Sequence, residues 1–325
     1  AEDGIRHNGA GLVGSEMCIR DRDSIPHFFQ QVDPIVDKVV GSHEYIVVND
    51  GSRDRTLSIL QNMARERSDI VVINLSRNFG KDIALSAGID YCRGQAVIPM
   101  DIDLQDPPAL IEEMFAKYRE GYDMVVAVRE SRDSDSWFKR STANWFYALI
   151  GRMSDVHIPA NAGDFRLMDR RVVDVLKRLP ERSRFMKGLF AWLGFRSIDI
   201  RYERPLRAHG KSKWNYWKLW NFALDGIFSF STAPLRVWSY IGIPIALVSF
   251  IYMGFIVVRT VVFGVDLPGY ASLLSVMLFL GGLNLIGIGI LGEYVGRLFL
   301  ESKQRPLYIV DNVIGDSEDQ PHFGR

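Results

Sequence analysis

From Val237 to Gly292 the chain carries only two charged residues, Arg259 and Asp266, in an otherwise apolar run. The 22 residues between Arg236 and Arg259 and the 26 between Asp266 and Glu293 are uncharged. At about 1.5 Å of rise per residue, each stretch suffices to cross a hydrocarbon core roughly 30 Å thick as a helix. Backbone groups in lipid must be satisfied internally, so a pair of helices is the expected form. Arg236 precedes the first span and Arg297, Lys303 and Arg305 follow the second. The excess of cations at those ends predicts that both are cytosolic, with Phe263 to Tyr270 on the far side.

The remainder of the chain has a different character. From Ser24 to Arg236 charged and apolar residues are mixed as in a soluble domain. Over all 325 residues, 39 basic and 39 acidic side chains cancel and 47% of residues are hydrophobic, which argues against a disordered chain or one that seeks nucleic acid by charge. Cys18 and Cys92 are too few and too far apart for a disulfide framework, so a reducing compartment is expected.

Residues Ala1 to Arg22 show neither helical nor alternating periodicity and lack the design of a signal peptide. They read as foreign material, from a vector, tag or sequencing adapter, joined to a chain that resumes near Ser24, with a natural mobile arm as the alternative. Rich in Gly and charge, this segment, taken as residues 1–23, is expected to form no well-paired central strand.

After Ser24, a candidate N-cap, Ile25, Phe28, Phe29, Val32, Ile35, Val36 and Val39 recur at helical spacing. Short β-branched runs then follow at Tyr45–Val48, Ile70–Leu75, Ala96–Met100 and Met124–Val128, separated by helical patterns over Thr56–Glu66, Lys81–Cys92 and Pro108–Glu120. Strand alternating with helix predicts an α/β domain with a doubly wound parallel sheet, which binds ligands at the carboxyl ends of its strands. Chemistry-bearing residues stand there: Asn49-Asp50-Gly51-Ser52, Asp101-Ile102-Asp103-Leu104-Gln105-Asp106 and Arg129. The Asp-Gly-Ser step alone is a common turn and helix cap. The second cluster is more specific. On an extended segment Asp101, Asp103 and Gln105 share one face, and three oxygen donors there suit Mg²⁺ or Mn²⁺.

Four segments, Asn49-Asp50-Gly51-Ser52, Ser76-Arg77-Asn78-Phe79-Gly80-Lys81, Met100 to Pro108 and Gly163-Asp164-Phe165-Arg166-Leu167, occur in an order and spacing that resembles the polyprenyl-phosphate glycosyltransferases. That family includes the dolichyl-phosphate mannose synthases and the bacterial undecaprenyl-phosphate glucosyltransferases. The likeness runs from about Ser24 to Val310. It implies a GT-A (Rossmann-like) domain, a nucleotide-sugar donor, a divalent metal and inversion at the sugar carbon. Family members begin with a strand and a Pro-Val-Tyr-Asn-Glu type segment that contacts the base, and here residues 1–22 stand in its place.

The resemblance implies roles for single residues. Asp103 and Gln105, with Asp101 nearby, would hold the metal. Asp50, Gly51, Ser52, Lys81 and Asp101 would line the nucleotide-sugar site, with Asp50 and Asp101 toward the base or ribose. Gly80-Lys81 opens a helix but is no P-loop, since Leu75 stands where its first Gly is required. Asp164 matches the family's candidate base, which can equally orient acceptor or sugar hydroxyls, with Arg166 as its partner or as a phosphate contact. Arg129, Arg132 and Arg140, in a Ser/Asp-rich stretch, are candidates for the acceptor phosphate, as are Arg207, Ser212 and Lys213. Cations from Arg196 to Lys218 interleave with Trp214, Tyr216, Trp217 and Trp220 as in an interfacial helix, and the adjoining spans favour lipid over nucleic acid as its partner.

The expected organisation is a GT-A catalytic domain over 24–210, amphipathic interfacial helices over 211–235, a transmembrane hairpin over 236–300 and a cytosolic tail over 301–325. Gly281, Gly282, Gly287, Gly289 and Gly292 permit close helix contact, within the hairpin or in a homo-oligomer. Leu307 to Val310 is a strand-like tail that can dock on a neighbour. The expected activity is transfer of a hexose, glucose from UDP-glucose first, to undecaprenyl phosphate at the cytosolic face of a bacterial inner membrane. GDP-mannose or another UDP-sugar is the alternative donor, and a non-catalytic lipid-binding scaffold the alternative class.

Overall fold

The computed structural model describes residues 10–16, 24–130, 162–179, 181–182, 184–203, 233–263 and 269–315, which fall into a mixed α/β unit and a helical unit. The α/β unit opens with β1 (Ala10–Glu16), α1 (Ser24–Val39), β2 (His43–Asn49), α2 (Thr56–Glu66), β3 (Ile70–Leu75) and α3 (Lys81–Tyr91). It continues through β4 (Ala96–Asp101), α4 (Leu110–Arg119), β5 (Met124–Arg129), β6 (Ala162–Asp169), α5 (Arg170–Arg178), α6 (Met186–Trp192) and β7 (Ser197–Tyr202). After the helical unit the chain returns as β8 (Val310–Ile314).

One eight-stranded sheet runs in the order β7-β5-β6-β4-β1-β2-β3-β8. Strands β4, β1, β2 and β3 are mutually parallel, as the alternation of strand and helix requires. The sheet is nonetheless mixed: β6 runs antiparallel to both β4 and β5, and β8 runs antiparallel to β3. Pairing between β4 and β6 covers only Ala96 and Val97, so Pro99, which has no N–H to offer, lies beyond the stretch bonded on that side. The strand of the tail is Val310–Ile314 rather than Leu307 to Val310, and it pairs with β3 of this same unit.

The expectation that the N-terminal segment forms no well-paired central strand is overturned. Strand β1 pairs with β2 from Ala10↔His43 to Glu16↔Asn49 and with β4 from Ala10↔Ala96 to Ser15↔Asp101, so it lies in mid-sheet with ladders on both sides. A run such as Ala10-Gly11-Leu12-Val13-Gly14 has weak strand propensity of its own. Two parallel neighbours with unpaired ladder groups override that propensity, since strand preference is largely a property of context.

Apolar periodicity in α1 was a sound guide: Ile25, Phe28, Phe29, Val32 and Val36 are all buried against the sheet. Each such side chain contributes roughly 1.5–3 kcal/mol. Arg67 locks α1 at the amino ends of β2 and β3 by binding Asp33 (2.6 Å) and Asp69 (2.6 Å), with its guanidinium 5.0 Å from the Phe29 ring centre. The carboxyl ends of the strands are left for chemistry.

In the helical unit α7 (Ala233–Phe263) and α8 (Tyr270–Ser302) contain apolar spans Tyr240–Phe263 and Val276–Ser302, of mean hydropathy 2.4 and 1.8, with no part buried. Of the glycines expected to permit helix contact, Gly287 does so: a Cβ there would stand 2.2 Å from Nε1 of Trp238. Gly281, Gly282, Gly289 and Gly292 have open space at that position.

Because β1 is bonded on both sides, Val13→Pro should abolish the cooperative thermal transition of the α/β unit. In the parent, amides from Leu12 to Ser15 should exchange as slowly as those of β2. Rapid exchange at those amides would return the segment to the unpaired state that its sequence suggests.

Candidate active site

The carboxyl ends of β2, β3 and β4 and the amino end of β6, which runs antiparallel to β4, lie along one edge of the sheet. Asp50, at the end of β2, is fully buried, and its carboxylate accepts the backbone N–H of Phe79 (2.6 Å) and of Gly80 (2.9 Å). Its carbonyl oxygen accepts from Asn78 Nδ2 at 3.1 Å. Asp50 thereby braces the 76–81 loop from below, and both its carboxylate oxygens are engaged within the protein. Gly51 must be glycine: its φ is +65°, and a Cβ would stand 2.4 Å from the carbonyl carbon of Arg77. Asn49 donates to Asn74 (2.7 Å), which donates to Asp311 of the returning tail (3.0 Å). Ser52 Oγ is buried and has no partner.

The braced loop delivers Lys81, the first residue of α3, to the centre of the site. Its ammonium lies 2.7 Å from Asp101 at the end of β4 and 2.9 Å from Asp164 on β6. Burial works against the charge on Lys81, yet the two carboxylates outweigh it and hold the ammonium well above its usual range. Burial likewise works to raise Asp164, but Lys81, Lys187 and Arg166 together bring its carboxyl below the ordinary range. For Asp101 burial prevails over the pull of Lys81, and its carboxyl is pushed up. The partner of Asp164 is therefore Lys81, which the sequence suggested only as a residue of the nucleotide-sugar site. Its second oxygen, Oδ1, is buried without a hydrogen bond.

Arg166 lies deeper. It is 4% exposed, donates to the Gly163 carbonyl (2.6 Å) and stacks 3.9 Å from the Phe190 ring centre. Burial lowers its guanidinium to about 10, so it remains charged at neutral pH. Its link to Asp164 runs through the backbone carbonyl at 3.4 Å.

Beyond β4, Gln105 donates from its backbone (3.1 Å) and from Nε2 to Asp103, which fixes the two side chains relative to each other. Gln105 Oε1 is left buried and unpartnered. Leu104 between them takes φ +53°, a left-handed conformation that costs a residue with a Cβ roughly 1–2 kcal/mol. Among the described residues no three His, Cys, Asp or Glu side chains gather closely enough to hold a metal by themselves. Two carboxylates and an orphaned amide oxygen nevertheless fit a hard divalent cation, whose remaining ligands would be water and substrate oxygen.

Arg129 closes the far side, with Nε donating to the Tyr202 hydroxyl (3.2 Å) and its guanidinium 3.9 Å from Asp106. Arg132, Arg140, Arg207, Ser212 and Lys213 lie outside the described residues.

Residues 33–176 match the model of glycosyl transferase family 2, and residues 233–298 match that of the GtrB C-terminal hairpin. The chain is 55% identical to an uncharacterized glycosyltransferase of Synechocystis over 91% of this chain and 93% of that protein. The chain is a family 2 glycosyltransferase. Its α/β unit is the GT-A domain, and its two apolar helices form the hairpin matched by the second model. It is also 49% identical to the bactoprenol glucosyl transferase of Shigella phage SfV, over 90% of this chain and 95% of that one. A remoter likeness, at 17% identity and a TM-score of 0.47, is to glucosyl-3-phosphoglycerate synthase of Mycobacterium tuberculosis crystallised with Mn²⁺, UDP and phosphoglyceric acid; it covers 68% of this chain and 76% of that one.

Sequence reasoning did not single out Asp82, next to Lys81 on α3. Burial and the nearby charge of Asp164 push its carboxyl up to about 7, against the pull of Lys81 and Lys187. Folded Asp82 thus holds its proton to higher pH than the unfolded chain does, so it weakens the fold as pH rises from about 4 to 7. Asp82→Asn should raise the thermal midpoint at pH 8 by roughly 2–4 °C for each kcal/mol relieved, and the gain should vanish toward pH 4. A gain independent of pH would show that the charge is not its origin.

Proposed function

We propose that this glycosyltransferase moves glucose from UDP-glucose to a polyprenyl phosphate, undecaprenyl phosphate first, at the cytosolic face of a bacterial inner membrane. The name of the phage relative, at nearly full coverage of both chains, supports the donor sugar and the lipid class. The observation that carries the mechanism is Lys81 bridging Asp101 and Asp164, which joins the donor-side carboxylates to the β6 carboxylate in one charged cluster. Two apolar spans and the hairpin match support a lipid-borne acceptor, and cations flanking the spans favour cytosolic chain ends.

In this reading the 49–52 turn and the braced 76–81 loop form the nucleotide side of the site. Gly51 lets the backbone turn, Ser52 offers its unpartnered hydroxyl, and Asp50 acts by holding Gly80 and Lys81 in place rather than by direct contact. Lys81 supplies positive charge near the donor diphosphate. Asp103 and Gln105, beside Asp101, would hold Mg²⁺ or Mn²⁺. When bound, that ion supplies Lewis-acid neutralisation of the diphosphate that leaves.

The acceptor phosphate has a second pKa near 6, so at neutral pH it is largely a dianion and already nucleophilic. One phosphate oxygen attacks the anomeric carbon from the side opposite UDP; the new C–O bond forms as the bond to UDP breaks, and the configuration inverts. No proton must be removed. Asp164, kept ionised by Lys81, is a weak base and is better suited to orienting sugar or acceptor hydroxyls. Arg166, buried two residues further along β6, supports that carboxylate from inside. Arg129, whose side chain is 30% exposed, is the described cation available to the acceptor phosphate on this side.

Incubating the membrane-embedded chain with undecaprenyl phosphate and a panel of radiolabelled nucleotide sugars tests the reading. UDP-glucose should give lipid-linked product that is lost in EDTA. Product from GDP-mannose alone would move the assignment to that donor, and product from none would favour a scaffold.

Asp164→Asn separates positioning from base catalysis. A neutral amide cannot reproduce charge-assisted contacts, so turnover should fall at least about a hundredfold, within the usual range for such groups, and stay low from pH 6 to 9. Recovery to near the parent rate well above the phosphate pKa would assign proton removal to Asp164 instead.

A further inference from the structure

Tyr202, the last residue of β7, was not singled out by any motif, yet its hydroxyl stands at a junction of the site. It donates to Asp106 Oδ1 at 2.5 Å and accepts from Arg129 Nε at 3.2 Å. Asp106 and Tyr202 are each 6% exposed, so the contact is shielded from water and cannot readily be replaced by solvent. Three segments far apart in sequence meet there: the loop after β4, the end of β5 and the end of β7.

What lies on either side gives the junction its meaning. Asp106 immediately follows Gln105, and between Asp103 and Gln105 the chain passes through the left-handed Leu104. Such a conformation persists only when its surroundings hold it. Upstream the loop is continuous with β4, and downstream the buried Asp106 is its first fixed point, held by Tyr202. Arg129, on the other side of the hydroxyl, is the cation proposed for the acceptor phosphate. One phenol therefore holds both the segment that presents Asp103 and Gln105 and the guanidinium that would meet the acceptor.

We propose that Tyr202 is a positioning residue that links the divalent-cation loop to the acceptor-phosphate cation, so that donor-side and acceptor-side geometry are set together. This rests on the reading of Asp103, Gln105 and Arg129 given above. The hydroxyl takes no part in bond making. It fixes Asp106 by donating to it and fixes Arg129 by accepting from it, a pair of roles that phenylalanine cannot perform.

The test is Tyr202→Phe, which keeps the ring and its packing, in the full-length protein in detergent. Mn²⁺ affinity in the presence of UDP, followed by electron paramagnetic resonance of free Mn²⁺, should fall roughly tenfold, as expected when a hydrogen bond to a charged group is lost. KM for undecaprenyl phosphate should rise by a similar factor while KM for UDP-glucose changes less. Asp106→Asn, which retains an oxygen acceptor for the phenol, should lie between parent and Tyr202→Phe in both readings. If Tyr202→Phe loses its thermal transition, the Asp106→Asn values decide alone. Parent-like Mn²⁺ affinity and parent-like KM for the lipid in the variant would overturn the proposal. A parent that binds no Mn²⁺ with UDP would instead overturn the metal assignment on which it stands, and the two failures are told apart by measuring the parent first.

Discussion

The ammonium of Lys81, held between the carboxylates of Asp101 and Asp164, is the contact on which the arrangement of the site depends. Without it two carboxylates would face each other across a poorly solvated space, and one of them would have to take up a proton. With it, the ends of β4 and β6 are tied to the start of α3, and Asp164 remains ionised. One ammonium between two carboxylates also leaves a net negative charge, to which Asp103 adds, and that balance suits a divalent cation.

Lys81 can do this only because the loop before it is rigid. Asp50 lies wholly inside the protein and holds the amides of Phe79 and Gly80, while Gly51 allows the chain to pass close to Arg77. The amide pair Asn49 and Asn74 continues this support to Asp311 on β8, so a strand that follows the apolar helices in sequence helps to fix the segment proposed for the nucleotide. Buried polar groups of this kind rigidify a site when they are satisfied. Among the described buried atoms without a hydrogen bond, Ser52 Oγ, Gln105 Oε1 and Asp164 Oδ1 belong to segments proposed for substrate or cation.

The helical unit follows a different rule. Its side chains are apolar and turned outward, as lipid as solvent permits, and its helices meet where Trp238 occupies the space a side chain at position 287 would need. Of five glycines that permit close contact by composition, that one is used between these two helices. A glycine makes approach possible, but the partner's side chain decides where approach happens.

Much of this was legible in the chain itself. The apolar run from Val237 to Gly292 fixed two spans because length and hydropathy are summed locally, and the spacing of Ile25, Phe28, Phe29, Val32 and Val36 fixed α1 because helical periodicity is local too. The clusters at the ends of β2 and β4 pointed to the candidate site because parallel strands present their carboxyl ends together. Tertiary structure alone decided the rest. It drew residues Ala10–Glu16 into mid-sheet against their own propensity, since two neighbouring strands had backbone groups to pair. It turned Asp50 inward, gave Asp164 to Lys81 rather than to Arg166, and joined Asp106, Arg129 and Tyr202. These are contacts between residues tens of positions apart, and no local pattern records them because their energies exist only once the sheet has brought the strand ends together.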